Sequence, residues 1–419
     1  MHLVLVSHNY FPEPTGIPAY NTALAIWFRR RGWRVTVLTG VPHYPWWKVP
    51  EPYASRDFSH GRGDEVIDGV EVLRVNHFVP TPPPGGLARM RLDASWLWAW
   101  FRRSRTLRLR PDAIVVVAPP FLIGALGCWL RRRWHRPVIY HVQDLQVDAA
   151  LELGMLPRPL AIPLRWLERR VLAAVDVVTT VSRGMQRRLD AKHASRRPTL
   201  LMPNWADVEH IQPEDAIARA ANPYRLEWHA SERTTVIAYA GNLGRKQGLD
   251  GMLAAWRRLP YLADLRLVLA GDGSERAILT ERSTDLPFPR FRLIGLQPSE
   301  RLASFLAAAD IHCIPQRAAA ADLVMPSKLL NVLAVGRPVV VAAESGTELS
   351  DVVLRAGCGL VVPPENPTAF AAALTTLIED PERREAMGRA GRAYCVRHLG
   401  ADAVLGRFER LLRSLPRPP

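Results

Sequence analysis

Lysine is nearly absent from this chain. Of 55 Lys and Arg residues only four are lysine, Lys48, Lys192, Lys246 and Lys328, so each stands out against arginine. Cysteine is as scarce: Cys128, Cys313, Cys358 and Cys395 are scattered without metal-ligand spacing and read as reduced core residues of a cytosolic protein. No G-x-x-x-x-G-K-[ST] occurs, which argues against a P-loop hydrolase. No D-x-D occurs either, so no carboxylate pair is at hand to hold a metal–diphosphate. Residues 113–130, "AIVVVAPPFLIGALGCWL", are uncharged and approach membrane-spanning length. Pro119-Pro120 falls near the middle, so the stretch is expected to be a buried parallel strand, a turn and a helix. The opening "MHLVLVSHNY" has no basic n-region and is expected to be a strand, not a signal peptide.

What is present is a globular composition, 48% hydrophobic and 23% charged over 419 residues, long enough for two or three domains. The net charge of +15 is uneven. Residues 1–210 carry 29 Lys and Arg against 17 Asp and Glu, and residues 211–419 carry 26 against 23. The excess includes "RLDASWLWAWFRRSRTLRLR" at 91–110 and "RRRWHR" at 131–136, where tryptophan interleaves with arginine. That mixture suits an anionic membrane surface, with Trp at headgroup depth and Arg on phosphate. Nucleic acid is the rival anion, and plain solvated helix faces are the third reading.

The first half alternates strand and helix. "HLVLVSH" is followed by a helix opened after Gly16 and ended by Gly32, then by "RVTVLTG" and a hairpin "VIDGVEVLRV" turning at Asp68-Gly69. After the Trp/Arg helix come strands "AIVVVA", "PVIYHV", "VDVVTTVS" and "TLLMPN". This is the pattern of a doubly wound parallel sheet. Residues 204 to 235 are polar and lack a strand, and are expected to hold the domain boundary and linker. The second half repeats the class with "VIAYAG", "LRLVLAGDG", "FRLIGLQ", "IHCIPQ", "PVVVAA" and "GLVVPP". The expected division is 1–210, 211–400, and a C-terminal helix within 401–419 that packs back toward the first domain. Two such halves are expected to enclose a ligand cleft at the carboxyl ends of their strands.

Three segments of the second half carry candidate chemistry. "YAGNLGRKQG", residues 239–248, is a glycine-rich, cationic strand-to-helix turn, suited to an anion; a turn that merely turns is the alternative. "LAGDGSE" places Gly271 and Gly273 after another strand. In "DLVMPSKLLNVLAVGRPVV", Pro326-Ser327-Lys328 opens a helix that Gly336 ends. A diphosphate is expected against Ser327-Lys328, opposite Arg245-Lys246, with an ordinary capped helix as the alternative. Two of the four lysines fall in these two turns, which favours the anion. In the first half, "HVQDLQVDAA" brings His141, Asp144 and Asp148 to the carboxyl end of a strand. They are candidates for handling a hydroxyl, or else structural hydrogen-bonding groups. His8, His43 and His77 are left unassigned.

Together these segments resemble the family 4 retaining glycosyltransferases of GT-B fold, over nearly the whole chain. The resemblance rests on the Gly16 loop, "HVQD", "VDVVTTVSRGM" with Ser182, "MPNW" with Asn204, "AGNLGRKQGL", "LVLAGDG", "RLIGL", "AADIHCIPQ" and "MPSKLLNVLAVGRPVV". "YFPEPTGI", "PHYPWW" and "QDLQVDAALELGM" are similar to the branch assigned to colanic acid (exopolysaccharide) assembly. The resemblance implies an α/β protein of two Rossmann-like doubly wound domains facing a central cleft. It implies donor-binding roles for Gly16, Ser182, Asn204, Gly241, Asn242, Arg245, Lys246, Gln247, Gly271, Gly273, Leu296, Pro326, Ser327, Lys328, Leu329 and Asn331. His141 and Asp144 would orient the donor sugar or acceptor hydroxyl as the catalytic pair. Two departures stand out. Asn242 and Gln247 occupy positions where many members have Arg and Lys, and Leu323 and Asn331 occupy those of a common Glu pair.

The implied reaction moves a sugar, with retention, from a GDP- or UDP-linked donor, the branch pointing to a GDP-sugar such as GDP-fucose. No cofactor and no metal are expected. The leaving phosphate would accept the acceptor's proton. The implied acceptor is a lipid-linked (undecaprenyl-diphosphate) saccharide, met by a cytoplasmic protein peripheral on the inner face of the plasma membrane. Arg102, Arg103 and Arg105 are the expected contacts to acceptor or anionic lipid, and no nucleic acid is expected as a partner. A sugar-nucleotide epimerase of similar shape and a non-enzymatic RNA- or lipid-binding protein are the alternatives.

Overall fold

The computed structural model describes residues 1–14, 16–58, 63–82, 84–152, 158–192, 198–260, 262, 264–318 and 327–416. The chain forms two compact units, Met1–Met202 with Arg407–Pro419, and Pro203–Gly406.

The first unit is built on β1 (His2–Ser7), β2 (Arg34–Gly40), β3 (Glu65–Ile67), β4 (Val70–Val75), β5 (Ala113–Ala118), β6 (Val138–Val142), β7 (Val177–Thr180) and β8 (Leu200–Leu201), in the order β3-β4-β2-β1-β5-β6-β7-β8. The hairpin β3–β4 is antiparallel and turns at Asp68 and Gly69, both at positive φ, as the Asp-Gly pair dictates. The other pairings are parallel. β1, β5 and β6 are buried along their whole length, which explains their unbroken Val/Ile/Leu character. The uncharged run 113–130 resolves into β5 and the helix Ile123–Trp134, as expected. No described helix is long and apolar enough to cross a membrane. The helix Ala401–Ser414 begins in the second unit, and from Arg407 on its residues belong to the first. There Trp33 Nε1 donates to Glu409 Oε1 at 3.0 Å, and Phe408 sits edge-on to Phe28.

The second unit holds β9 (Thr235–Ala240), β10 (Leu265–Ala270), β11 (Phe291–Ile294), β12 (Ile311–Ile314), β13 (Val339–Ala342) and β14 (Gly359–Val362), in the order β11-β10-β9-β12-β13-β14 with every pairing parallel. The strand order reverses between β9 and β12. In an open parallel sheet that reversal leaves a crevice at the carboxyl ends. Helices on both faces supply two hydrophobic layers.

One expectation about the boundary is corrected here. Residues 204 to 235 are not a solvated linker: they belong to the second unit and feed its core. Tyr224 and Trp228 are buried, with ring centroids 5.5 and 5.6 Å from Phe305. The polar letters that suggested a linker are helix caps. Asp215 accepts from the Ala218 amide and Asn222 from the Tyr224 amide, opening the short helices Ala216–Ala220 and Pro223–Glu227.

Candidate functional site

The crevice between β9 and β12 is where the second unit's glycines gather. The chain leaves β9 through Gly241 at φ 142° and leaves β10 through Gly271 at φ 153°, conformations that L side chains rarely adopt. The two turns press together. A Cβ on Gly271 would lie 1.8 Å from the Gly241 carbonyl oxygen, and one on Gly241 would lie 2.3 Å from Lys328 Cε. Main-chain bonds join the turns, Gly241 N–H to Ala270 O at 2.9 Å and Leu243 N–H to Asp272 O at 2.8 Å. The three segments singled out in the sequence therefore meet at one edge of one sheet. Gly273 is equally crowded, its missing Cβ falling 2.5 Å from Asn242 Oδ1.

Lys328, in the first turn of the helix Ser327–Ala334, is the centre of this cluster. Its Nζ donates to Tyr239 Oη at 2.6 Å and to Gln247 Oε1 at 2.5 Å, and lies 4.5 Å from the Tyr239 ring centroid. Tyr239 Oη donates onward to the Asn242 carbonyl at 2.6 Å. Neither acceptor of the ammonium is an anion. Burial pushes Lys328 down to about 8 and the Tyr239 hydroxyl up. At neutral pH the ammonium is thus still charged, held by neutral oxygens alone among the described residues. An incoming anion relieves that state.

The remaining candidates of this unit divide by exposure. Arg245 and Lys246 stand exposed on the 3₁₀ turn Arg245–Gln247, and neither has an ion pair among the described residues. Asn242 is exposed beside Gly244 and Gly273. Leu296 is 70% exposed in the turn after β11. Ser327 is exposed and Asn331, one helical turn on, is half-buried. Leu329 is buried in the apolar core, so only its main chain could meet a ligand. Pro326 and Leu323 lie outside the described residues. Tyr239 opens the stretch 239–248, but sequence reasoning gave it no role. An aromatic hydroxyl immediately before a Gly-rich cationic turn was the available signal.

The first unit gives a different picture. Gly16, at φ 73°, precedes the helix Ile17–Arg30 with open space around it. His141 lies within β6 rather than beyond it, in register with Thr179 of β7. Its Nδ1 is 2.9 Å from Thr179 Oγ1, and burial lowers the imidazole to about 4, leaving it neutral. Asp144 is half-buried after β6. Asp148 is tied up: Lys192 Nζ reaches it at 2.8 Å and Glu168 at the same distance. Ser182 Oγ accepts from the Met185 amide at 3.2 Å, a helix-capping bond. Asn204, in the opening residues of the second unit, has a buried Oδ1 with no partner among the described residues. No group of three His, Cys, Asp or Glu side chains among the described residues is arranged as a metal cluster.

The Trp/Arg helix Gly86–Ser104 is amphipathic in an unexpected way. Trp96 and Trp100 are buried in the core, and Trp100 Nε1 donates to Thr39 O at 3.0 Å. Arg103 is committed to the fold, pairing with Asp64 and donating to the Arg74 carbonyl. Expected as a lipid or acceptor contact, it instead closes the end of β4. Arg102 and Arg105 are exposed, Arg105 lying over the Phe101 ring.

The chain matches known proteins along nearly its whole length. Residues 15–205 match the family described as "Glycosyl transferase 4-like domain", and residues 224–394 match "Glycosyl transferases group 1". It is 29% identical over 422 residues to the putative colanic acid biosynthesis glycosyl transferase WcaI of Escherichia coli K12, covering 99% of this chain and 100% of that one. It is 31% identical to the D-inositol 3-phosphate glycosyltransferase of Kineococcus radiotolerans over 78% of each chain. Its fold is similar to sucrose-phosphate synthase from Thermosynechococcus elongatus (TM-score 0.73, 18% identity, 98% of each chain). It is also similar in fold to Anabaena HepE, solved in complex with UDP and glucose (TM-score 0.70, 15% identity, 99% of this chain and 100% of that one). The fold is GT-B, with a parallel Rossmann-like sheet in each unit. The chain belongs to the family 4 glycosyltransferases.

Proposed function

We propose that this glycosyltransferase transfers a hexosyl group, with retention and without a metal, from a GDP- or UDP-linked sugar to a lipid-linked saccharide at the inner face of the plasma membrane, in exopolysaccharide or cell-surface polysaccharide synthesis. The observation that carries the reading is Lys328: an ammonium held, among the described residues, only by Tyr239 and Gln247, beside two glycine turns that leave no room for side chains. The donor's diphosphate replaces or adds to those neutral partners. Arg245 and Lys246 neutralise the outer phosphate charge, which is the main demand of a nucleoside diphosphate leaving group. Gln247 keeps the ammonium oriented where many relatives place a second lysine. The main chain at Gly295-Leu296 meets the base, and Asn331 meets a ribose or sugar hydroxyl. His141, with Nδ1 held by Thr179, has Nε2 left for the donor sugar, and Asp144 orients the acceptor hydroxyl. The leaving phosphate takes the acceptor's proton, so no separate base is required.

Polysaccharide synthesis is supported by the relative named for colanic acid biosynthesis. The lipid-facing part of the reading is supported by the helix Gly86–Ser104. Leu87, Met90 and Trp98 are 83%, 62% and 60% exposed along it, interleaved with exposed Arg89, Arg91, Arg102 and Arg105. Such a face lies in a headgroup layer without spanning it.

The test is a thermal-shift panel of GDP, UDP, GDP-fucose, GDP-mannose, UDP-glucose and UDP-GlcNAc, each with EDTA and with Mg²⁺. A ligand at about a hundredfold over its Kd adds roughly 2.7 kcal/mol of stability. The expected outcome is a shift with one nucleotide class, unchanged by EDTA. Absence of any shift, or one that appears only with Mg²⁺, contradicts the reading.

A further inference from the structure

The opposite edge of the second unit's sheet, at the amino ends of β12 and β13, borders a cavity of about 650 Å³. Two arginines bond one carboxylate there, and a third lines the same cavity. Asp310, the residue before β12, accepts from Arg219 through Oδ1 and from Arg225 and the Val236 amide through Oδ2. Both oxygens are then occupied. Arg337, the residue before Pro338 and β13, lines the same cavity with Arg219. Among the described residues its Nη2 reaches only the Ala307 carbonyl, at 3.3 Å, an oxygen that Arg219 Nη1 also uses. Its Nε is buried, and among the described residues it has no hydrogen-bond partner and the side chain no ion pair. Two guanidinium groups thus share one carbonyl and crowd one saturated aspartate.

Carboxylates other than Asp310 are present. Both oxygens of Glu214 accept from Asn222, and Glu385 pairs with Arg389 on the surface at 3.3 Å. Glu232 lines the cavity too, and none of the three has an ion pair with Arg337 among the described residues. Arg337 is half-buried, a guanidinium donor left without an acceptor is costly, and the fork fits two oxygens of a tetrahedral anion. The cavity size falls in the range of small-molecule sites.

We propose that this cavity is a second anion-binding site, separate from the Lys328 edge, that takes a phosphate or phosphate monoester between Arg219 and Arg337, with Arg389 at the mouth. The assignment does not depend on the donor reading. Its physical basis is the saturated Asp310, which leaves Arg337 without a carboxylate partner among the described residues of a cavity that Arg219, Arg337 and Arg389 line. The phosphate comes either as the free ion or as part of a sugar phosphate.

The experiment is a calorimetric titration of the full chain with inorganic phosphate and, separately, with glucose 6-phosphate. Binding is expected to persist in Lys328→Gln. It is expected to weaken at least about tenfold in Arg337→Gln, the loss of one charge-assisted contact. Arg389→Glu, a surface change that leaves the fold intact, is expected to weaken it several-fold. Tighter binding of glucose 6-phosphate than of inorganic phosphate identifies the ester as the occupant, and the reverse identifies the free ion. Loss of phosphate binding in Lys328→Gln with none in Arg337→Gln and Arg389→Glu overturns the proposal. So does the absence of any binding by the unmodified chain at tens of millimolar phosphate.

Discussion

The two units are built on the same plan and treat charge in opposite ways at the carboxyl ends of their strands. In the first unit the charged groups answer one another. Lys192 is shared by Asp148 and Glu168, Arg103 is paired with Asp64, and Arg74, fully buried, donates to Glu65. Among the described residues of the second unit, Lys328 has only neutral oxygens, and Arg245 and Lys246 have no ion pair. Satisfied charge holds a fold together. Charge left with neutral partners over a bare backbone is what an anionic ligand requires.

The glycines offer the largest effect with which to break this contrast. Gly271→Ala forces a Cβ into the Gly241 carbonyl, while Gly16→Ala meets no atom within 4 Å and only the strain of its φ. The first is expected to cost about 3 kcal/mol or more of stability and to abolish nucleotide binding, the second about 1 kcal/mol. Chemical denaturation of the two variants checks the order, and equal losses would erase the distinction.

Lys192 tests the other side. Lys192→Met leaves Asp148 and Glu168 facing each other at low exposure. A drop of about 2 kcal/mol in unfolding free energy is expected, with nucleotide affinity unchanged. A loss of affinity would assign Lys192 to the binding site.

Titration sharpens the comparison. Lys328 has its folded value lowered to about 8 from an ordinary 10.5. Its charge in the native state is therefore lost as pH rises through about 8, and affinity for a nucleoside diphosphate is expected to fall over the same range. For stability the sign is the reverse. Between about 8 and 10.5 the unfolded chain binds more protons at this lysine, so its contribution to stability rises with pH. Binding measured from pH 6.5 to 9.5 decides it. An affinity that is flat across that range removes Lys328 from the site.

The smallest effect concerns the basic helix. Arg102→Glu with Arg105→Glu is expected to reduce sedimentation with anionic liposomes while changing stability by no more than about 0.5 kcal/mol. Arg103→Glu is expected to destabilise, because its partners are Asp64 and the Arg74 carbonyl. Undiminished sedimentation of the double variant removes these arginines from the lipid surface.

These contrasts also mark what could be read in advance. Strand positions and the convergence of Gly241, Gly271 and Lys328 were legible, because buried parallel strands and crowded turns leave local signatures in Val/Ile runs and glycine. The partners of a charge were not. Nothing local in "HVQDLQVDAA" says that Asp148 meets Lys192, 44 positions away. The same blindness made Trp96 and Trp100 look like headgroup anchors when they fill the core, and made the capping Asp215 and Asn222 look like a linker. Polar residues report their role only through long-range contacts.

The most direct test is a calorimetric titration of the unmodified chain and of Lys328→Met with GDP and UDP in EDTA. The account predicts one nucleotide bound per chain, weakened at least about tenfold in the variant, with a melting temperature that is not lowered. Equal affinity in the two proteins would contradict it, and would place the diphosphate away from the glycine turns.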